Sequence, residues 1–342
     1  MKKILVFRLS AIGDVAMTVP VISSLNKAYP DTEIIFVSQK FANGFLKYIP
    51  GVRFFEVDLK GRHKGFFGIF RLYFDLRKLG KFDVIADLHD VIRTKILRNL
   101  FLFSTAKKVI IDKGRQEKKN LCKVNGKELK QLETSTSRYA KTLQNAGFIF
   151  NVEFDYLFTN SILNDSILNI TGSKNGKWVG IAPFAKHKGK IYPLKQMEKV
   201  VEQLSGFQDV KVFLFGGGPT EKTILESWEK RFQNTVSLAG KLSIEDELKV
   251  ISNLDVLVSM DSANMHFASL VNTPVISIWG ATHPFAGFYG WNQSPKLALQ
   301  INLPCRPCSI YGNKPCFRKD YACLNLITPQ DVINKINEVI IA

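Results

Sequence analysis

The chain has 342 residues, of which 46% are hydrophobic and 23% charged, so its composition excludes extended disorder and its length favours two domains. No apolar run approaches the roughly 20 residues that cross a bilayer, and the short apolar stretch at residues 4–7 is not a signal peptide, so we expect a cytoplasmic protein. The formal net charge is +17, and residues 60–130 hold nineteen Lys and Arg against seven Asp and Glu, which favours an anionic partner: a nucleic acid, a phospholipid surface or a phosphorylated substrate.

The first half of the chain alternates short β-branched or aromatic runs with longer amphipathic segments. The runs predict strands at residues 3–9, 33–38, 53–59, 83–89 and 108–112. The segments between them predict helices at residues 14–29, 66–79 and 91–103. Such alternation predicts a parallel sheet with helices on its faces.

The pattern lapses into Asn, Ser, Gly and Lys near residues 157–177 and then starts again. The second series predicts strands at residues 178–183, 210–215, 236–238, 255–259 and 275–279, and helices that begin near Pro193, Thr220, Ser243 and Ser262. We therefore expect an N-terminal domain over residues 1–160, a linker over 161–177, a second domain over 178–328 and a C-terminal helix over 329–342.

Two series of this kind predict an α/β protein with two Rossmann-like, doubly wound parallel sheets. Ligands of such sheets bind at the carboxyl ends of the strands, and in a pair of these domains we expect those ends to face a central cleft. The loops that follow the strands are therefore the candidate site.

The first candidate loop is Ser10-Ala11-Ile12-Gly13-Asp14. Gly13 permits close approach to the backbone, and Asp14 places a carboxylate at the start of the first helix. Asp14 is either a reactive carboxylate in the cleft or a cap that stabilises the helix start, and one residue can do both.

The second candidate loop follows the apolar strand that ends at Met260. The free N–H groups of the next helix and the Ser262 hydroxyl suit a diphosphate, because they donate hydrogen bonds where the helix dipole favours negative charge. His266, one turn later, either reaches a phosphate or ribose or is a satisfied core or capping histidine. Asp261 and Asp14 would then belong to two halves of one site.

Two further loops follow strands of the second domain. Gly216-Gly217-Gly218 permits a tight turn, but it lacks the Gly-x-Gly-x-x-Gly spacing of a dinucleotide-binding protein. Glu221 either accepts hydrogen bonds from a ribose or is an ordinary acid in a first helical turn. Lys190 either neutralises a leaving phosphate or belongs to a solvated run of lysines.

The predicted helix over residues 66–79 is unusually aromatic. Arg71, Asp75 and Lys78 fall along one face, whereas Phe67, Phe70 and Phe74 belong to a broad apolar arc. Basic residues flank the helix, as in a helix that docks on an anionic membrane. The alternative is a helix packed against the sheet with a polar outer face.

Four of the five cysteines lie close together near the C-terminus. Cys305, Cys308, Cys316 and Cys323 are candidate thiolate ligands of a structural zinc ion, although the last two lack the usual Cys-x-x-Cys spacing. Free buried thiols are the alternative, and in neither case do we expect a catalytic role.

Several motifs follow one another along almost the whole chain. These are residues 3–6 leading to Arg8-Leu9-Ser10-Ala11-Ile12-Gly13-Asp14 and Pro20, then Lys190-Ile191-Tyr192-Pro193, Gly217-Gly218-Pro219 with Glu221, Leu254-Asp255, Asp261-Ser262, His266-Phe267-Ala268, Thr273-Pro274 and Trp279-Gly280-Ala281-Thr282-His283-Pro284. In type and order they resemble the lipopolysaccharide heptosyltransferase family.

The resemblance implies a GT-B fold and an inverting, metal-independent enzyme without a required cofactor. It would transfer heptose from an ADP-sugar to the lipopolysaccharide core at the inner face of the cytoplasmic membrane, with an N-terminal acceptor domain and a C-terminal donor domain. The resemblance implies that Asp14 is the general base and that Ser10, Gly13 and Arg93 lie on the acceptor side. On the donor side it implies Lys190 at the diphosphate or sugar, Glu221 at the ribose and Asp261 at the donor sugar. Ser262 and His266 would lie at the donor phosphates.

This chain departs from the family pattern at three positions. Ala263 replaces a glycine after Asp-Ser, and Ile191 and Tyr192 replace the Arg and Trp of a Lys-Arg-Trp-Pro element. Transfer from another nucleotide sugar to a different cell-surface glycan is therefore an alternative. A non-catalytic protein that binds nucleic acid or phosphate is another, although no RNA-binding signature is present.

Overall fold

Two parallel β-sheets divide the chain into two compact units in the computed structural model, which describes residues 2–341. The first unit runs to Lys113 and resumes over Thr134–Leu157, and the second holds Gly114–Glu133 and the chain from Phe158 onwards. Residues 114–133, expected in the first domain, and the predicted linker thus group with the second unit. Residues 1 and 342, at the outer ends of the predicted domains, lie outside the described residues.

Hydrogen bonds explain why these two segments group with the second unit. The Leu132 N–H donates to the Phe285 carbonyl at 2.8 Å. The Asn253 side-chain amide donates to the Ser161 carbonyl at 2.8 Å. The predicted linker also contains a helix with a buried face, so it is part of a packed structure.

The strands are short and mostly buried. In chain order they are β1 (Lys3–Phe7), β2 (Glu33–Ser38), β3 (Val52–Glu56), β4 (Val84–Asp87), β5 (Lys107–Ile110), β6 (Lys177–Ala182), β7 (Val210–Leu214), β8 (Thr235–Ser237), β9 (Val256–Met260), β10 (Val275–Trp279) and β11 (Ala298–Gln300). The helices are α1 (Ile12–Ala16), α2 (Val19–Ala28), α3 (Asn43–Leu46), α4 (Gly65–Arg77), α5 (Ile92–Leu100), α6 (Arg115–Leu121), α7 (Ser135–Gln144), α8 (Asp165–Thr171), α9 (Leu194–Ser205), α10 (Pro219–Arg231), α11 (Ile244–Ile251), α12 (Ala263–Leu270), α13 (Ala322–Asn325) and α14 (Pro329–Ile340).

The sheet of the first unit has the strand order β3-β2-β1-β4-β5, and all of its strands are parallel. Ile4, Leu5 and Val6 of the central strand are completely buried, as expected of a parallel sheet covered on both faces. The order reverses between β1 and β4. Ligands of open α/β sheets bind at the point where the strand order reverses, because the loops there leave neighbouring strands in opposite directions. The loops after β1 and β4 are therefore candidates for function.

The sheet of the second unit has the order β11-β10-β9-β6-β7-β8, again with parallel strands. This is the strand order of a dinucleotide-binding Rossmann fold. Every residue of β9 is buried. The order reverses between β6 and β9, so the loops after these two strands form the corresponding candidate site in this unit.

The predicted α/β class with two parallel sheets is confirmed, and the structure adds detail. The helix predicted over residues 14–29 is two helices, because Pro20 has no N–H group to continue the first one. Among the helices that were not predicted, α7 and α8 follow the N-cap residues Thr134 and Asn164, whose side chains accept hydrogen bonds from backbone N–H groups.

Helix α4 combines features of both alternatives for the aromatic segment. Ile69 and Leu72 are buried in the core of the first unit. The outward face is aromatic as well as basic, since Phe66, Phe67 and Phe74 are 59%, 76% and 59% exposed and Arg71 and Arg77 are exposed too. Among the described residues, no helix is both long and apolar enough to pass through a bilayer.

Candidate active site

Asp14 lies in the first turn of α1, at the carboxyl end of β1. Its Oδ2 accepts a hydrogen bond from the Ala11 N–H at 3.2 Å and pairs with Arg8 Nη2 at 2.7 Å. The carboxylate thus stabilises the helix start, as the capping alternative predicted, although Ala11 occupies the N-cap position. About a third of the Asp14 side chain (32%) is exposed, so it also remains accessible to a ligand.

Arg8 fixes the position of that carboxylate. Its side chain is almost completely buried, and Nη1 donates to the Leu88 carbonyl at 2.8 Å, across the gap between the ends of β1 and β4. The guanidinium carbon lies 5.7 Å from the centre of the Tyr139 ring. A guanidinium held by several contacts has a fixed direction, so Asp14 is oriented before any ligand arrives.

His89 is a further polar residue beside this corner, and it was assigned no role from the sequence. Its Nδ1 accepts from the Leu9 N–H at 3.4 Å. Burial, assisted by the nearby positive charges of Arg8 and Lys113, lowers the pKa of His89 to about 3. The imidazole is therefore neutral at physiological pH, and with Nδ1 as acceptor its Nε2 carries the proton. Its position directly after a buried strand was a signal that could have revealed it.

A buried ion pair shapes the loop after β4. Asp87 is completely buried; its Oδ2 accepts from Arg98 Nη1 at 2.6 Å, and its Oδ1 accepts from the backbone N–H groups of His89 and Asp90. A buried carboxylate needs such partners. Asp87 therefore holds the loop that carries His89.

The three residues expected on the acceptor side are divided between two elements. Ser10 and Gly13 lie with Asp14 in the segment from β1 into α1, where both are partly buried. Arg93 lies on α5, and its Nη1 donates to the His63 carbonyl at 2.8 Å. Arg93 thus joins α5 to the loop that precedes α4.

Lys190 and Asp261 meet in the second unit, at the reversal between β6 and β9. Lys190 Nζ lies 2.8 Å from Asp261 Oδ2 and donates to the Asp261 carbonyl at 3.2 Å. The two side chains are only 14% and 5% exposed. Lys190 is therefore not part of a solvated lysine loop, and the ammonium has a fixed place at the carboxyl edge of the sheet.

Three close backbone approaches surround Lys190. The Ala281 N–H donates to the Gly189 carbonyl at 2.8 Å. A side chain on Gly280 would place its Cβ 2.6 Å from that same carbonyl oxygen. Gly312 has a φ of +71°, and a Cβ there would lie 2.6 Å from Lys190 Cγ. Glycine at these positions lets loops from distant parts of the chain enclose the lysine stem.

Ser262 and His266 occupy the start of α12. Ser262 is the N-cap residue, but its hydroxyl lies 3.2 Å from the Ser259 hydroxyl instead of capping the helix. The Ser262 side chain therefore caps none of the first N–H groups of this eight-residue helix, which begins two residues after Asp261. His266 is 6% exposed, which is the burial of a core histidine.

Glu221 closes the glycine loop after β7. Its Oε2 accepts from the Gly217 N–H at 2.7 Å, and Gly218 is the N-cap of α10. The contact fixes the loop at the carboxyl edge of the sheet. Glu221 is therefore an acid with a local structural role, and it is partly exposed.

Arg306 was also overlooked in the sequence, and it organises the loop after β10. Its guanidinium is buried and donates to the carbonyls of Gly280 at 2.6 Å and Thr282 at 3.0 Å, among others. Burial lowers the pKa of Arg306 below its usual value. One side chain thus holds the loop whose glycine approaches Gly189, and this long-range role leaves no local pattern in the sequence.

The four clustered cysteines are free thiols in the structure. Cys323 is buried, and burial raises the pKa of its thiol to about 11. Cys305, Cys308 and Cys316 are partly buried. In residues 2–341 no group of three or more His, Cys, Asp or Glu side chains is arranged to hold a metal ion, so the structure gives the zinc alternative no support.

Comparison with known protein families identifies the chain. The model of glycosyltransferase family 9 (heptosyltransferase) matches residues 86–315, which is more than half of the sequence and includes the Lys190, Glu221 and Asp261 segments. The chain belongs to glycosyltransferase family 9. It is therefore a glycosyltransferase, as the order of its motifs predicted.

Curated relatives of this family-9 protein resemble it over almost their full lengths. Lipopolysaccharide heptosyltransferase 1 of Campylobacter coli is 24% identical, with 98% of each chain covered. Lipooligosaccharide heptosyltransferase 2 of Campylobacter jejuni subsp. jejuni serotype O:6 is 23% identical, with 96% of each covered.

Solved structures of a family-9 protein and of a heptosyltransferase share the fold. The glycosyl transferase family 9 protein from Veillonella parvula has a TM-score of 0.75 at 18% identity, over 99% of this chain and 97% of that one. The E. coli heptosyltransferase WaaC with ADP has a TM-score of 0.69 at 19% identity, over 98% and 99%. The expected GT-B class is thereby confirmed.

One departure from the family pattern has a structural explanation. Tyr192, in place of the Trp of the Lys-Arg-Trp-Pro element, is completely buried. Its hydroxyl lies 2.8 Å from Gln196 Oε1 and 2.9 Å from the Ile327 carbonyl oxygen. Burial raises the pKa of Tyr192 above its usual value. The smaller aromatic ring is thus accommodated by hydrogen bonds within the second unit.

Proposed function

We propose that this glycosyltransferase transfers heptose from ADP-heptose to a lipopolysaccharide-core acceptor. The observation that carries the proposal is the heptosyltransferase family match over residues 86–315. Two further findings support it: full-length relatives are named lipopolysaccharide or lipooligosaccharide heptosyltransferases, and similar structures hold ADP or ADP-2-deoxy-2-fluoro heptose. In this proposal the first unit binds the acceptor and the second binds the donor.

The donor half of the proposal rests on charges that are already in place. Lys190 compensates the charge of the donor diphosphate, together with the first N–H groups of α12 and the Ser262 hydroxyl. Asp261 orients Lys190 and binds the donor sugar. Glu221 accepts from the ribose through the oxygen that Gly217 leaves unused, and His266 supports α12 near the phosphates.

The acceptor half depends on Asp14. In the proposed reaction its carboxylate removes the proton from an acceptor hydroxyl as that oxygen attacks the anomeric carbon. The bond from this carbon to the diphosphate oxygen breaks, and its electron pair leaves with ADP. Attack from the face opposite the diphosphate inverts the anomeric centre. Because Lys190 and a helix N-terminus supply the compensating charge, we propose a reaction without a metal or other cofactor.

Neighbouring residues position the acceptor in this proposal. Ser10 and Gly13 line the loop beside Asp14, and Arg93 supplies a positive charge from α5. The neutral His89 has an Nε2–H to donate to an acceptor oxygen. Arg8 acts through Asp14 as a positioning residue, because it holds the carboxylate in one orientation.

We further propose that the enzyme works at the inner face of the cytoplasmic membrane as a peripheral protein. The support is the exposed aromatic face of α4, which lies beside the exposed cations Lys64, Arg71 and Arg77. Aromatic rings that enter the headgroup region and cations that attract anionic lipids together favour this location. Binding of nucleic acid is less favoured, since the positive charge is explained by the anionic lipid and donor.

A ligand-binding screen tests the donor assignment. Full-length protein is titrated with ADP-, UDP- and GDP-sugars by isothermal calorimetry. Binding of ADP-heptose at least about tenfold tighter than the UDP- and GDP-sugars supports the proposal. Tighter binding of another nucleotide sugar would favour the alternative in which the chain serves a different surface glycan.

A further inference from the structure

A cationic cavity lies in the second unit, between α6 and the segment over residues 309–314. Its volume is about 490 Å³, within the range of roughly 300–1,000 Å³ that is typical of small-molecule pockets. Five of its ten lining residues are Arg or Lys, and none is Asp or Glu. The five cations are Arg115, Lys118, Lys119, Lys123 and Lys314.

The charge of this cavity favours an anionic occupant. Like charges that line one concave surface repel one another, and low-dielectric walls strengthen their combined field. Lys118 is itself more than nine-tenths buried, with its ammonium 4.7 Å from the centre of the Phe288 ring. The burial of Lys118 keeps one of the five cations in the wall of the cavity, where its field reaches an anion that enters.

The wall formed by residues 309–314 is fixed in place rather than loose. The backbone N–H groups of Cys308 and Ser309 both donate to the Ala281 carbonyl, at 3.1 and 3.2 Å. The Ser309 hydroxyl donates to Asn313 Oδ1 at 3.0 Å. A cavity with fixed walls loses little entropy when it binds, which favours affinity.

The same segment adjoins the proposed donor residues. Gly312, between Asn313 and Tyr311 of the cavity wall, packs against the stem of Lys190. A second cavity of about 480 Å³ shares Cys122, Lys123 and Lys314 with the first. An occupant larger than a phosphate group therefore has room to extend beyond the cationic residues.

We propose that this cavity binds a phosphate-bearing anion, a phosphomonoester or a diphosphate, at a site separate from the donor nucleotide. Arg115 contributes a planar fork of donors, and the four lysines contribute point charges. The anion belongs either to the headgroup of a lipid or to a free phosphorylated solute. The proposal does not depend on which sugar is transferred.

Calorimetric titration with inorganic pyrophosphate tests the site, with ADP present to fill the donor site. The variant Lys119→Gln/Lys123→Gln/Lys314→Gln removes three exposed cations from the cavity. The control Lys195→Gln/Lys199→Gln/Lys230→Gln removes the same charge from exposed positions elsewhere in the second unit. We expect the cavity variant to bind pyrophosphate about tenfold or more weakly than the wild type, and the control to bind within about twofold.

Equal pyrophosphate affinities in the two variants, or no binding by the wild type, would overturn the proposal. ADP affinity is measured separately in all three proteins, so a failure of the proposed donor site is seen independently. Phosphatidylcholine vesicles with and without phosphatidic acid distinguish the two sources. If the cavity variant loses binding to phosphatidic acid vesicles, the site exists and its anion is a lipid headgroup. If the variant loses only pyrophosphate binding, the site exists and its anion is a free solute.

Discussion

Lys190 and Asp261 form an ion pair, with Nζ 2.8 Å from Oδ2, between loops that follow neighbouring strands of the second sheet. Both side chains are largely buried, so both charges have lost most of their hydration. The attraction between them offsets that loss. The pair fixes an ammonium group at the point where the order of the strands reverses. This position is the basis of the donor site in the proposed function.

We predict that Lys190→Met destabilises the protein by about 3 kcal/mol, because it leaves the Asp261 carboxylate buried without its partner. Lys190→Met/Asp261→Asn should restore at least half of the lost free energy of unfolding, since no buried charge remains. Urea denaturation of both variants checks this. If the double variant is no more stable than the single one, the pair is not coupled as its distance indicates.

Gly312→Ala should weaken ADP-heptose binding about tenfold. The new methyl group forces a φ of +71° on an L-residue and lies 2.6 Å from Lys190 Cγ, so the lysine has to move. Calorimetry measures the effect. Gly206→Ala is the matched control, because its φ is −75° and its nearest neighbour is 3.4 Å away. Unchanged affinity in Gly312→Ala would show that the packing of Gly312 does not position Lys190.

The contribution of Glu247 to the free energy of unfolding should fall as the pH rises from about 4.5 to about 7. Burial raises the pKa of Glu247 to about 7 from an ordinary value of 4.5. Over this window the folded state retains a proton that the unfolded state releases, so deprotonation favours unfolding. Glu247→Gln removes this dependence and should be more stable than the wild type at pH 8 by roughly 1–3 kcal/mol.

Chemical denaturation at pH 5 and pH 8 measures the Glu247 effect. Glu202→Gln, on an exposed position of α9, is the control and should show the pH dependence of the wild type. A Glu247→Gln variant whose stability follows the wild type at both pH values would refute a raised pKa.

The exposed aromatic face of α4 should determine membrane binding. We expect Phe66→Gln/Phe67→Gln/Phe74→Gln to reduce binding to anionic vesicles about tenfold or more, because three rings no longer enter the headgroup region. Vesicle co-sedimentation measures the binding. The control Ile149→Gln/Ile162→Gln/Phe207→Gln changes three other exposed apolar residues and should leave it within about twofold. Equal losses in both variants would argue against a specific role for α4.

The residue pattern predicted ten of the eleven strands in the described residues, because buried parallel strands are largely apolar runs such as residues 4–7 of β1. It missed the short edge strand β11, whose three residues are only partly buried. It also predicted that Asp14, Lys190 and Asp261 lie in segments that follow strands, and the structure has them there, while their roles stay predictions. Whether Asp14 caps a helix or faces a ligand could not be decided from position alone, and the structure shows that it caps while remaining partly exposed.

Residues whose roles depend on distant contacts were missed. Arg306 holds carbonyls that lie 24 and 26 positions earlier in the sequence, and no local periodicity indicates this. The cationic cavity combines Lys119 with Lys314, almost two hundred residues apart. Such juxtapositions arise from tertiary packing, so composition showed an excess of positive charge without showing where it converges.

Single-turnover heptosyl transfer by Asp14→Ala is the most direct test of the central claim. With ADP-heptose and a lipopolysaccharide-core acceptor, we predict a rate at least about a hundredfold below the wild type, because general-base catalysis typically contributes that much. ADP-heptose affinity should stay within about threefold, and the exposed control Asp31→Asn should transfer at the wild-type rate. Transfer by Asp14→Ala within about threefold of wild type would contradict the assignment of Asp14 as the base.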